Sequence, residues 1–237
     1  MTDISILLLS EGTFLPGLQD LVQQARPQTK VYLAENLDQL KEHCLLSPRP
    51  YRLVAFCTDV IVPGPVLDIF IGGAYNFHPG PPSYPGIFPS CFAIYDQVRE
   101  FGVTAHRMSE DIDAGEIVAR KSFAIPADIE RFTLDQIALK SLIELFGEIS
   151  PQLVLNENFI DPSGDQWTGS VRTQKNFKAL CELPERIDQK EFERRYRAVG
   201  EGPNHALTFM RFGHRFSLDN QRDDETTYVG GKPNAPD

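Results

Sequence analysis

Apolar runs and amphipathic stretches alternate along the first part of the chain, and that alternation predicts most of its elements. Ile4-Ser-Ile-Leu-Leu-Leu9 is almost continuously apolar, as expected of a strand buried on both faces. Leu15, Leu18, Leu21 and Val22 then recur at helical spacing, predicting a helix over Leu15–Ala25. Lys30–Leu33 reads as a second strand, Asn36 as the cap of a helix running to His43, and Arg52–Cys57 as a third strand. A short helix over Pro65–Phe70 and a strand over Gly73–Phe77 follow. Ser90–Glu100 has helical amphipathicity, whereas Gly102–Arg107 and Glu116–Phe123 alternate like strands. Thr133-Leu-Asp-Gln136 has the form of a capping box opening a long helix towards Leu155.

Strands interleaved with helices imply right-handed crossovers and an α/β fold, with a doubly wound, mostly parallel sheet covered on both faces. Ligands of such sheets gather at the carboxyl ends of the strands. The pattern changes after Asp161-Pro-Ser-Gly-Asp165, where Trp167–Thr173 looks strand-like. Asp188-Gln-Lys-Glu191 opens a charged helix to about Val199, and Leu207–Leu218 reads as a hairpin around Gly213-His214. The expected organisation is a catalytic domain over 1–158, a small C-terminal α+β unit over 159–218, and a disordered polar tail over 219–237.

Charge and cysteine content narrow the function. A net charge of −10 argues against a broad nucleic-acid footprint. Cys44, Cys57, Cys91 and Cys181 are scattered, without the spacing of a metal site, and read as reduced thiols. The expectation is therefore no metal. The start of the sequence has no basic n-region and no run long enough for an h-region, and no apolar run is long enough to span a membrane. A cytoplasmic protein without a membrane partner is expected.

One constellation carries chemistry. Asn76-Phe-His78-Pro79, Gly102-Val-Thr-Ala-His106 and Asp113-Ala-Gly115 bring an amide, two imidazoles and a carboxylate beside predicted strand ends. Taken singly, each has a plain alternative: Asn76 as a turn former, His106 as a satisfied histidine, Asp113 as part of a common turn. As an ordered set they suit acyl transfer, because a tetrahedral oxyanion needs donors and the attacking amine must lose a proton. Asn76 is a donor at any pH, His78 can donate or carry a proton, and Asp113 can orient an imidazole or accept the amine proton.

With Tyr84-Pro-Gly86 and Ile117 added, the pattern Asn76-x-His78-Pro79, Gly102-x-Thr-x-His106 and Asp113-x-Gly115-x-Ile117 resembles the 10-formyltetrahydrofolate-dependent formyltransferases. The resemblance implies a Rossmann-like formyltransferase fold, with catalytic roles for Asn76, His78 and Asp113 and a supporting one for His106. It also implies a pterin slot between Val60-Ile61-Val62 and the Met108–Ile112 segment, including Glu110. The Val60–Val62 run would equally serve core packing. Where the family usually has Ser-Leu-Leu-Pro after the His-Pro, this chain has Gly80-Pro81-Pro82-Ser83, a change that bears on the acceptor more than on the chemistry.

The expected reaction is formyl transfer to a primary amine of a small metabolite, a nucleotide-linked amino sugar being the preferred class. A methionyl-tRNA formyltransferase-like activity, a formyltetrahydrofolate hydrolase and a folate-binding module without turnover are the alternatives. A homodimer through the C-terminal unit is a compatible assembly. Glu193-Arg-Arg-Tyr-Arg197 reads as a solvated helix face, and Trp167 as an anchor of that unit.

Overall fold

The computed structural model describes residues 4–46, 48–199 and 207–218; the expected tail over 219–237 lies outside the described residues. The elements in chain order are β1 (Ile6–Leu9), α1 (Leu15–Ala25), β2 (Val31–Ala34), α2 (Leu37–Cys44), β3 (Arg52–Phe56), α3 (Gly64–Leu67) and β4 (Ala74–His78). They continue with α4 (Pro89–Tyr95), β5 (Glu100–Arg107), β6 (Ile117–Ala124) and α5 (Arg131–Leu155). The C-terminal part holds α6 (Gln174–Cys181), β7 (Glu182–Leu183), α7 (Gln189–Val199), β8 (Thr208–Arg211) and β9 (His214–Ser217).

The main sheet has the order β2-β1-β3-β4-β5-β6, parallel from β2 to β4 and antiparallel thereafter. β1, β3 and β4 are buried on both sides because helices cover both faces there, whereas β2 and β6 at the edges keep one side towards solvent. Leu7, Leu9, Leu53, Ala55 and Ala74 face Leu40 and Cys44 of α2 together with Val62 and Phe70. Ile6, Leu8, Val54, Phe56, Tyr75 and Phe77 face α1, α4 and α5. On that second face Phe146 of α5 meets Phe56 and Phe77 edge-on, at 5.9 and 5.0 Å between ring centres.

Four sequence expectations give way to tertiary structure. The helix expected over Ser90–Glu100 ends at Tyr95, because Gln97 is left-handed (φ +57°) and Glu100 pairs with Ala124 as the first residue of β5. The long helix opens at Arg131, two residues before Thr133, with an Arg131–Asp135 ion pair (2.7 Å) supporting its first turn. A genuine capping box occurs at Thr173 and Asn176 and starts α6, a helix that the pattern did not predict. The Trp167–Thr173 stretch forms no strand: its amides turn to the 82–87 loop, Thr168 and Gly169 both donating to the Pro82 carbonyl (3.0 and 3.2 Å). The hairpin forms as expected, with its turn at Phe212-Gly213.

Arg52 closes the core. Fully buried at the start of β3, it donates through Nε to the Gly72 carbonyl (2.6 Å) and through Nη2 to Asn158 (2.8 Å) and Asn156 (3.2 Å). Its Nη1 reaches the Leu153 and Gln152 carbonyls at the end of α5. A cation on these terminal carbonyls satisfies groups the helix leaves unpaired and opposes the helix dipole. Arg52→Met should leave those carbonyls without a donor and cost about 3 kcal/mol. Urea unfolding checks this; an unchanged midpoint would remove Arg52 from the set of core clamps.

Candidate active site

β4 and β5 run antiparallel with Asn76 opposite His106 and His78 opposite Thr104, so alternation along both strands sends Asn76, His78 and His106 to one face. The chain leaves β5 through residues 108–112 and returns Asp113 to the same place in a left-handed conformation (φ +45°). That backbone is costly for a non-glycine residue and persists where its surroundings over-determine it. Here they do. Asp113 Oδ1 lies 3.1 Å from His106 Nε2 and Oδ2 lies 3.3 Å from His78 Nδ1, while the Gly86 amide donates to Oδ2 at 2.7 Å.

Two glycines of the sequence motif have a physical reason. Gly86 has φ +94°, and a Cβ there would stand 2.2 Å from the Arg172 carbonyl oxygen. A Cβ on Gly115 would stand 1.9 Å from the Arg107 carbonyl oxygen. Both allow backbones to approach closely enough to seat the Asp113 carboxylate.

The remaining nitrogens are committed. His78 Nε2 donates to the Tyr84 carbonyl (3.0 Å) and His106 Nδ1 to the Arg107 carbonyl (2.9 Å). In their neutral forms both rings would then turn a bare nitrogen towards Asp113, which only a proton can reconcile. Asn76 Nδ2 reaches both His106 Nε2 (3.2 Å) and Asp113 Oδ1 (3.4 Å). The geometry thus provides for one proton shared within the cluster.

Burial is the largest influence on each shifted group. It holds the His78 imidazole below its ordinary range, outweighing the opposing pull of Asp113 and of the Tyr84 carbonyl. It also pushes the Asp113 carboxyl up, but His78, His106 and the Gly86 amide together overcome this and bring it down to about 2. His78, His106 and Asp113 are all buried; Asn76 is half-buried.

These groups open into a cavity of about 490 Å³, within the range of small-molecule sites. Every site residue named from the sequence lines it: Asn76, His78, His106 and Asp113 with Val60, Ile61, Val62, Met108, Glu110 and Ile112. The Val60 amide is met by Thr58 Oγ1 (3.2 Å). Among the described residues Ile61 and Val62 have no backbone partner, which leaves their peptide groups free to meet a flat polar ring.

Sequence reasoning missed the layer behind the cluster. Trp167 presents its ring to the edges of His106 (5.1 Å, 87°) and His78 (6.0 Å, 68°), and its Nε1 donates to the Gly115 carbonyl at 2.8 Å. Arg172 brackets the 85–87 turn through its backbone, accepting from Ile87 (3.0 Å) and donating to Pro85 (2.8 Å). Phe88, left-handed and exposed at the cavity wall, packs on Phe177 of α6 at 4.1 Å. The only sequence signals for these contacts were a single tryptophan and a glycine-containing loop.

Known proteins share this architecture. A family model described as formyl transferase matches residues 19–141. A sugar N-formyltransferase from Shewanella sp. superposes with a TM-score of 0.74 at 20% identity, covering 92% of this chain and 97% of that one. An N-formyltransferase from Helicobacter canadensis, in complex with folinic acid and dTDP-3-aminofucose, gives 0.62 at 19% identity over 82% of this chain and 80% of that one. HypX from Aquifex aeolicus, in complex with tetrahydrofolic acid, gives 0.64 at 19% identity, covering 90% of this chain and 37% of its own. At these identities the structural likeness is one of fold. The family model, which spans more than half of the chain, carries the assignment: the chain belongs to the formyl transferase family and is a formyltransferase.

Proposed function

We propose that the chain transfers the formyl group of 10-formyltetrahydrofolate to a primary amine of a small metabolite, with Asn76, His78 and Asp113 as the reacting groups. The observation that carries this is the buried Asp113 carboxylate between two imidazoles at the wall of the cavity. The pterin lies against the Val60–Val62 and Met108–Ile112 segments, Glu110 included. The complexes of two structural neighbours with folinic and tetrahydrofolic acids support that donor.

The amine nitrogen attacks the formyl carbon, forming the new C–N bond and a tetrahedral oxyanion. Asn76 Nδ2 donates to that oxygen, as does His78 Nδ1 while it carries the cluster's shared proton, each exchanging its longest contact to Asp113 (3.4 and 3.3 Å) for it. The amine proton passes to the Asp113–imidazole cluster. Collapse breaks the bond from carbon to N10, which takes up a proton as tetrahydrofolate leaves. His106 supports this by keeping its Nδ1 on the Arg107 carbonyl and its Nε2 on Asp113. For the acceptor, the dTDP-3-aminofucose complex of the Helicobacter neighbour supports a nucleotide-linked amino sugar.

A second copy on the C-terminal sheet belongs to the same reading. Phe209 and Phe216 stack at 5.0 Å and are exposed by 42% and 45%, and β9 is an edge strand of a sheet of three. Sedimentation at micromolar concentration should give twice the chain mass, and Phe216→Ser should give a monomer.

Asp113→Asn should lower turnover about a hundredfold or more while binding of a folate analogue is retained. Turnover equal to the wild type would sink the mechanism, and formate release without any amine would indicate a hydrolase. Acid stability tests the same group. The folded Asp113 carboxyl sits at about 2 against an ordinary 3.8, so its contribution is complete above the ordinary value and disappears as pH falls towards 2. His78, held below 6.5, adds a loss that starts as pH drops under that value. Wild-type unfolding free energy should therefore fall on acidification, and Asp113→Asn should flatten the steepest part, roughly 2 kcal/mol, below about pH 4.

A further inference from the structure

His78, His106 and Asp113 are buried, yet the side chain that lies against both imidazoles comes from outside the main sheet. Trp167 is the single tryptophan of the chain and is itself only half-buried, so one part of it meets the imidazoles while another meets solvent. It does not line the cavity, and therefore closes a different side of the cluster from the one that substrates enter.

The segment that carries this indole is tied down on both flanks. On one, the Ser163 amide donates to the Ile117 carbonyl and Trp167 Nε1 to the Gly115 carbonyl, both at 2.8 Å. On the other, the Thr168 and Gly169 amides meet the Pro82 carbonyl, and a Cβ on Gly169 would stand 1.9 Å from the Ser83 carbonyl oxygen. Gly115 in turn leaves no room for a Cβ beside the Arg107 carbonyl, the group to which His106 Nδ1 donates. The indole thus bears on the imidazoles directly through its ring and indirectly through the backbone that seats His106.

With one shared proton, an imidazolium and the Asp113 carboxylate cancel. Loss of that proton leaves the cluster net negative and a second proton leaves it net positive, and burial disfavours both states. The proposed transfer uses the middle one: the amine's proton enters the cluster and a proton leaves it for N10, so each turnover starts and ends with one. Without it His78 Nδ1 has nothing to donate; with two, no imidazole nitrogen is left to accept. The charges acting on His78 are those of Asp113 and His106, and those acting on Asp113 are the two imidazoles. Arg107 turns to Glu116, the Tyr84 hydroxyl to Asp96, and Asp165 of the strap to Arg120. The cavity side presents the Cys57 thiol and the carboxylates of Glu11, Glu35, Asp59, Glu110 and Asp111, none of which changes with residue 167.

Resting on the formyl-transfer reading, we infer that Trp167 is a positioning residue that keeps water from the Asp113–imidazole cluster and so holds it in the one-proton state that the reaction uses. Water favours both charged states, so admitting it narrows the active pH range from both sides: the acid limb moves up and the alkaline limb moves down. A side chain that served only to hold the strap in place would change the height of the pH profile and not its width.

Two measurements on the full chain test this. The first needs no substrate. An imidazolium in contact with an indole quenches its fluorescence, so the emission of Trp167 should drop in a step on acidification below 6.5, the ordinary value under which His78 is held. His106→Gln should shrink that step, and emission that stays level down to about pH 4 would overturn the inference. The second is the pH profile of kcat with 10-formyltetrahydrofolate and saturating dTDP-3-aminofucose; one acceptor throughout cancels the titration of the amine itself. Trp167→Ala should bring each limb inward by about one pH unit. Trp167→Phe, which keeps a ring but loses the donor to Gly115, should lower kcat with the limbs in place. Limbs unmoved in a folded Trp167→Ala, or moved in one direction only, would overturn the inference while leaving formyl transfer intact. If that variant does not fold, the emission step decides. Absence of turnover by the wild type would count against the formyl-transfer reading, and the emission step would still decide whether Trp167 senses the cluster's protons.

Discussion

The Asp113 carboxylate, fixed between two buried imidazoles, is the constraint around which the site is organised. Its left-handed backbone returns the chain from the 108–112 loop, and its two oxygens are divided between strands β4 and β5 and the Gly86 amide. Burial by itself would favour the neutral acid, yet three donors converging from different elements keep it ionised. Each donor is held in turn: His78 by the Tyr84 carbonyl, His106 by the Arg107 carbonyl, and Gly86 by the turn that Arg172 brackets. Removing the carboxylate would leave two imidazoles and an amide without the group they face.

The C-terminal part extends this support outward. Residues 163–172 run across the site loops, bonding to Ile117, Gly115, Pro82 and Pro85 in succession. Trp167 then keeps water from the edges of both imidazoles. The Tyr84 hydroxyl donates to Asp96 (3.0 Å), and Asp96 lies within ion-pair distance of Arg172 (3.8 Å) and of Arg194 on α7 (3.9 Å). The residue whose carbonyl holds His78 is thereby tied through Asp96 to Arg172, at the end of this 163–172 strap, and to α7. These longer ion pairs are half-exposed and contribute modestly, so the backbone bonds of the strap carry most of the positioning.

The cluster proposed to react was legible in the sequence because its members depend on local rules. Asn76 and His78 are two apart on one strand, so they share a face. Gly86 and Gly115 are conformational requirements that only glycine meets. β1 and β3 were legible as apolar runs with no polar face, and β5 and β6 by alternation. What was hidden depends on distant partners. Trp167–Thr173 has the alternation of a strand, but its backbone hydrogen-bonding partner is a loop 86 residues earlier in the chain, which no local pattern reveals (Pro82 to Thr168). Arg52 looked like the polar start of a strand, and its role appears only when α5 delivers its terminal carbonyls. Thr133 satisfied a capping template, but the helix starts two residues earlier at Arg131, whose ion pair with Asp135 spans that position.

The change from parallel to antiparallel pairing at β4 is what makes a site from these parts. The ends of β1, β2 and β3 open the cavity, as expected where a doubly wound sheet reverses its order. A further parallel strand beside β4 would deliver only another loop to that rim. An antiparallel β5 instead sets His106 directly opposite Asn76 and takes its outgoing loop back across the same face. That loop supplies Asp113 and also the Met108–Ile112 wall, so one reversal of strand direction brings the Asp113–imidazole cluster and the proposed donor slot into one cavity. The bulge between Ala105 and His106 adjusts the aim of the imidazole at the point where register matters most. Amine attack and donor placement are therefore coupled through a single loop. A change in the length of residues 108–112 would disturb both together.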